Sequence, residues 1–188
     1  RRALPGYDAG MNFDHAFGVE SWRAQPSAGG RVGQNERLIG LRCIACGAQY
    51  PVQDMPAGCP VCAARGMPSS VEAVYSALPR RLVASSSGYR WGEWLPYAHG
   101  VSLGEGNTPC LGLPRLAQLL GIRQLSAKNE GMNPTGSHKD RMSAQAVTRA
   151  LAVDAHKVVR ASSGNAAVSA AAYCAAAGLP CEIATDRD

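Results

Sequence analysis

The 188 residues, 46% of them apolar, suffice for one hydrophobic core or a core plus a small appended module. Nineteen basic against fourteen acidic side chains leave a formal charge of +5, scattered without a long run of like charges, so nothing suggests a nucleic-acid partner. The longest apolar run, residues 166–177, is too short and too alanine-rich to cross a bilayer, and Arg1–Gly6 lacks the apolar stretch of a secretory leader.

Seven cysteines would ordinarily raise a disulfide framework, but four fall into two C-x-x-C pairs, and Cys110, Cys174 and Cys181 stand alone in apolar surroundings. A reducing compartment fits this usage, and the expectation is a soluble, cytoplasmic protein. The chain does not open with methionine, which suggests a trimmed or processed start.

Residues 1–40 are rich in Gly, Pro, Arg and Gln with no sustained period and read as an irregular arm. A second unit, 41–76, carries the paired cysteines in a hairpin with no hydrophobic core of its own. Cys43-x2-Cys46 and Cys59-x2-Cys62 form two knuckles separated by twelve residues. Thiolates two residues apart on a tight turn can face one ion, and two such turns complete a tetrahedron of sulfur around structural zinc, leaving no position for water. A redox dithiol or a site that has lost its metal are the competing readings of the same cysteines. Residues 77–103 read as a connector whose aromatics, Tyr89, Trp91, Trp94 and Tyr97, should pack on the following domain.

From residue 104 to 188 the pattern becomes regular. Helices are expected over 114–120, 137–152 and 165–177, stopped by Gly121 in the first case and Gly178 in the last. Strands are expected over 123–128, 157–161 and 181–185. Alternation of strand and helix is the rhythm of an α/β fold, a parallel sheet with crossover helices.

Two glycine patterns fail as nucleotide loops. Gly131-x4-Gly136 is followed by Ser137-His138-Lys139 and not by Lys-Ser/Thr, and Gly104-x-Gly106 has Pro109 where a third glycine would stand. Lys139 instead falls at the mouth of a predicted helix, where the positive dipole end and burial both favour the neutral amine that condenses with an aldehyde. Spacing alone favours the plainer reading, a solvated lysine at a helix start. Thr135 is a possible capping hydroxyl in the preceding turn, and Ala161–Asn165 forms a second polar turn before the next helix.

Asn133-Pro134-Thr135-Gly136-Ser137-His138-Lys139-Asp140-Arg141 resembles the N-P-T-G-S-F-K-D-R motif of threonine synthases, which belong to the tryptophan-synthase-β-like group (fold type II) of pyridoxal-phosphate enzymes. Gly104–Pro109 is similar to that family's G-E-G-N-T-P segment and Ala161–Asn165 to its A-S-T-G-N loop, in the family's order, with a cysteine ribbon upstream. The resemblance spans roughly residues 41–185.

It implies a lyase that converts O-phosphohomoserine to threonine and phosphate. Lys139 would carry pyridoxal phosphate as an internal Schiff base and shuttle protons. Asn165 would contact the cofactor's ring hydroxyl, and Ser162, Ser163 and Gly164 would hold the substrate carboxylate. Asn107 and Thr108, with Glu105, would line the site, and zinc would occupy the four cysteines. His138 departs from the family's phenylalanine and can carry charge near neutral pH. The family's cofactor-phosphate loop and the hydroxyl facing the pyridine nitrogen belong to a C-terminal half that these residues lack. A fragment, a split enzyme completed by a second chain, or a homodimer of the full enzyme are the corresponding expectations. β-Replacement or hydroxyamino-acid deamination on the same scaffold, and a non-catalytic zinc-bearing subunit, are the alternatives.

Overall fold

The computed structural model describes residues 33–53, 55, 57–77 and 87–185; most of the expected N-terminal arm and part of the connector lie outside them. In chain order the elements are β1 (Leu38–Cys43), β2 (Gln49–Tyr50), α1 (Pro60–Ala64), β3 (Val71–Tyr75), a 3-10 turn (Gly88–Trp94), β4 (Cys110–Gly112), α2 (Pro114–Leu119), β5 (Ser126–Lys128), a second 3-10 turn (Glu130–Met132), α3 (Lys139–Ala152), β6 (Val158–Ala161), α4 (Asn165–Ala177) and β7 (Cys181–Ala184). No helix among the described residues is long and apolar enough to cross a membrane.

The cysteine-bearing region is a three-stranded antiparallel sheet with β1 in the middle, flanked by β2 and β3. It begins at Leu38, three residues before the boundary expected from composition. The short helix α1 was not foreseen. Pro60 starts it, where the missing N–H costs nothing, and its buried face is Cys62 alone. Gly58 (φ +73°) makes the preceding turn; an added Cβ would lie 2.3 Å from the Ser69 carbonyl oxygen, so only glycine fits there.

In the second region, α3 buries Asp140, Ser143, Ala144, Val147, Thr148 and Ala150, the spacing of one helix face. That face packs on α4, whose alanines permit close approach and whose buried positions end at Tyr173 and Cys174. Gly178, in the left-handed conformation, closes α4, and the Leu179 N–H donates to the Cys174 carbonyl at 2.9 Å. The core contains Tyr89, Ala144, Val147, Ala150, Tyr173, Cys174 and Leu179. Burial pushes the Cys174 thiol up to about 12, with neighbouring Cys181 acting in the same direction. These two cysteines are therefore neighbours in space, not isolated, whereas Cys110 is exposed.

The expected parallel sheet is present only in part. β6 and β7 pair in parallel, Val158 with Cys181 through Ala161 with Ala184, and α4 is their crossover. β5, expected as a further strand of that rhythm, instead pairs antiparallel with β4, an element too short to carry a sequence period. The architecture is thus mixed α/β. The connector aromatics divide: Tyr89 is buried and hydrogen-bonds Thr148 at 2.7 Å, while Trp91 and Trp94 remain 45% and 42% exposed.

Candidate active site and cysteine cluster

The loop before α3 owes its shape to one buried carboxylate. Asp140 is fully buried and accepts from the Thr135 backbone N–H at 2.7 Å, from the Thr135 hydroxyl, and from Ser169 Oγ at 2.7 Å. Ser169 Oγ also lies 2.7 Å from Ser143 Oγ. The expected Thr135 cap is therefore inverted: Thr135 donates to the helix's second residue, and the N-cap position is His138, with no side-chain cap. Gly136 (φ +78°) permits the turn between them.

Because Ser169 is in the first turns of α4 while Asp140 and Ser143 are in those of α3, the two helices present their N-terminal ends side by side. Lys139 is the first residue of α3 and half-buried; Asn165 is the first residue of α4 and exposed. Among the described residues no hydrogen-bond or ion-pair partner reaches the Lys139 side-chain nitrogen. Ser162 is half-buried, with Oγ accepting from the Gly164 N–H at 3.2 Å, and Ser163 and Gly164 are exposed. An added Cβ at Gly136 or Gly164 would meet nothing within 4 Å, so there is room in front of both loops. An amine, an amide, hydroxyls and two helix ends without side-chain caps suit an anionic aldehyde cofactor.

Asn107 and Thr108 make their contacts elsewhere. Asn107, at φ +51°, accepts from Arg90 Nη1 at 2.9 Å. Thr108 is buried, donates to Glu130 Oε1 at 2.6 Å, and its carbonyl accepts from Lys128 Nζ. Glu130 also takes both Arg141 Nε, at 2.6 Å, and Nη2, at 2.8 Å, and Asn133 Nδ2 at 3.0 Å. The Arg141 hydrogen bonds hold the Glu130 carboxyl far below the usual carboxylate range, against a smaller opposing effect of burial. Asn133 Oδ1 in turn accepts from the Gly106 N–H at 2.9 Å, tying the Gly104–Pro109 segment to the lysine loop.

Glu105, 1% exposed, accepts from Tyr173 at 2.7 Å, Ser102 Oγ at 2.9 Å and the Leu103 N–H at 3.1 Å. Burial first, then this carboxylate, push the Tyr173 hydroxyl well above the ordinary phenol range, so Tyr173 remains the donor. Asp140, Ser169, Tyr173 and the Glu130–Arg141 pair were not singled out from sequence. Signals were available: Asp140 and Arg141 close the lysine motif, and Ser169 is a hydroxyl four residues after Asn165 on an otherwise alanine-rich helix.

In the other region the sulfurs of Cys43, Cys46, Cys59 and Cys62 lie within 4.8 Å of one another. Cys43 and Cys62 are 3.6 Å apart and Cys46 and Cys59 3.7 Å apart. Zinc–sulfur bonds of about 2.3 Å require tetrahedral edges of about 3.8 Å, so the donor set and its spacing fit zinc. The N–H groups of Ala45 and Cys46 donate to Cys43 Sγ at 3.4 and 3.5 Å. The Cys46 N–H, helped by Ser69, pulls the Cys43 thiol down to about 5 against its burial. The Tyr50 hydroxyl, 3.1 Å from Cys59 Sγ, lowers that thiol too, whereas burial raises Cys62 to about 12.

Comparison with known proteins agrees with this geometry. Residues 101–188 match the family model described as pyridoxal-phosphate dependent enzyme. The threonine synthase of Methanosarcina acetivorans is 35% identical over 147 residues, covering 74% of this chain and 35% of the relative. That of Methanocaldococcus jannaschii is 38% identical over 147 residues, covering 76% of this chain and 36% of the relative. The Mycobacterium leprae threonine synthase is 47% identical over 91 residues, covering 48% and 24%. The chain thus spans about a quarter to a third of the length of these curated relatives. Residues 101–188 thus carry a match to the pyridoxal-phosphate dependent enzyme family, and the chain is similar in sequence to threonine synthases.

Proposed function

We propose that this chain carries the lysine-bearing part of a threonine synthase-type lyase acting on O-phosphohomoserine, with Lys139 as the residue that holds pyridoxal phosphate covalently. The observation that supports this reading is the hydrogen bond from Ser169 to Asp140, which fastens the opening turns of the two helices that begin with Lys139 and Asn165. The cofactor, when bound, supplies an electron sink for the carbanion of an amino acid. Lys139 would then move protons at the substrate's α carbon, a task that needs a neutral amine shielded from water. Asn165 would orient the cofactor's ring through its hydroxyl. Ser162, Ser163 and Gly164 would bind the substrate carboxylate with hydroxyls and backbone N–H groups at the start of α4.

On this reading, the cofactor-phosphate loop and the group facing the pyridine nitrogen come from polypeptide outside these 188 residues, on the same or a second chain. Zinc at Cys43, Cys46, Cys59 and Cys62 has a structural role, since four thiolates saturate it. Seven unbridged cysteines suit the reducing cytoplasm.

The test is reductive trapping. Protein supplied with pyridoxal phosphate and treated with borohydride should carry the reduced cofactor on the peptide containing Lys139, read by mass spectrometry. Lys139→Ala should take up no covalent label and lose the visible absorbance of the bound cofactor. Full labelling of the variant defeats the assignment.

A further inference from the structure

A pocket of about 380 Å³ lies between the Gly88–Trp94 turn, the Gly104–Thr108 segment and the end of β5, and is lined by Arg90, Trp91, Asn107, Lys128, Glu130 and Arg141. It includes none of the residues of the Ser162–Asn165 loop. Its one carboxylate is already engaged: Glu130 accepts from Arg141, Thr108 and Asn133. Arg141 and Glu130 therefore cancel, and two positive charges remain. Among the described residues neither Arg90 nor Lys128 is paired with a carboxylate.

The unused hydrogen-bonding capacity of both cations is of the donating kind. Arg90 Nη1 donates to Asn107, which leaves Nη2 without a partner among the described residues. Lys128 gives the Thr108 carbonyl one N–H, leaving two. Asn107 accepts from Arg90 through its carbonyl oxygen, and its amide N–H2 has no partner among the described residues. Two uncompensated cations with free donors beside a neutralised ion pair match a doubly charged tetrahedral anion, and the guanidinium fork suits its oxygens.

We propose that this pocket binds an oxyanion of the phosphate class, gripped by Arg90 and Lys128 with Asn107 at its rim. The anion is either free phosphate or the phosphoryl end of a phosphomonoester whose organic part lies along Trp91. The proposal goes beyond the cofactor reading and does not need it, because binding here involves neither Lys139 nor the Ser162–Asn165 loop.

The test uses the whole chain without cofactor, in low-salt buffer, titrated with inorganic phosphate in one arm and O-phosphoserine in the other, with 31P line width and tryptophan fluorescence as readouts. Saturable binding is expected in at least one arm, and which arm binds more tightly identifies the source of the anion. Arg90→Gln should weaken binding about tenfold, Arg90→Lys less, and Arg90→Gln with Lys128→Gln should abolish it. Should the Arg90 variants fail to fold, Lys128→Gln alone, at the exposed end of β5, is expected to weaken binding about tenfold. Absence of saturable binding in both arms, or unchanged affinity in folded Lys128→Gln or double-variant protein, overturns the proposal. Neither result bears on borohydride trapping at Lys139, so the two readings fail separately.

Discussion

The cysteine-bearing sheet and the paired helices α3 and α4 reach order by opposite means. The sheet's buried apolar cluster is three cysteines, Cys43, Cys59 and Cys62, supported by the partly buried Ala48, Tyr50 and Val71. The helices instead surround an apolar core with buried polar groups, Asp140, Ser143, Thr148 and Ser169, that satisfy one another or nearby backbone. Sulfur chemistry stands in for a hydrophobic core in the first region, whereas in the second Asp140, Ser143 and Ser169 bind one another beside the lysine loop. Metal should thus matter to one region and hardly at all to the other.

The largest test of that contrast is removal of the zinc proposed for the four cysteines. Structural zinc sites contribute on the order of 10 kcal/mol of apparent binding energy to small domains. A chelator, or Cys62→Ser, should abolish ordered structure over residues 38–75 while the α3–α4 region still unfolds cooperatively, read by hydrogen exchange. Equal loss of protection in both regions would erase the distinction. Next in size is Asp140→Ala, which strands the Thr135 N–H, the Thr135 hydroxyl and Ser169; it should cost about 3 kcal/mol in urea unfolding and leave the cysteine sheet protected. A change well below 1 kcal/mol would mean that Asp140 is not the fastening described.

The smallest is a pH effect at Glu130. Its carboxyl is held below the unfolded value, so its stabilisation is fully present above about pH 4.5 and is lost as pH falls through the acid range. Glu130→Gln should cost about 1–2 kcal/mol at neutral pH and flatten the acid limb of the stability profile. An identical acid limb in the two proteins would deny the Arg141 pairing its role.

Much of the second region was readable in advance because its elements obey strong local rules. Alanine density and Gly178 set α4 to its observed ends, Asn165 and Ala177. The antiparallel β4–β5 pair was not readable, since three-residue strands carry no period and their partner is fixed only by the fold. In the candidate site, the order of the lysine and asparagine motifs along the chain was legible. Which polar residues would be buried was not: Asp140 looks like any acidic residue in a first helical turn, where the dipole alone would explain it. Arg90 gave no sign of lining a pocket, because its neighbours Asn107 and Lys128 come from distant points of the chain.

Asn35 gives the two regions a common hinge pin. Its side-chain nitrogen donates to the carbonyls of Glu93 and Leu95, at 3.0 and 2.9 Å, and its backbone N–H to Pro96 at 2.8 Å, just ahead of β1. The same 3-10 turn holds Tyr89 against Thr148 and offers Arg90 to the pocket. The turn that offers Arg90 to the pocket is therefore moored at its far end by the residue that leads into the cysteine sheet, an anchorage that depends on backbone carbonyls and not on sulfur.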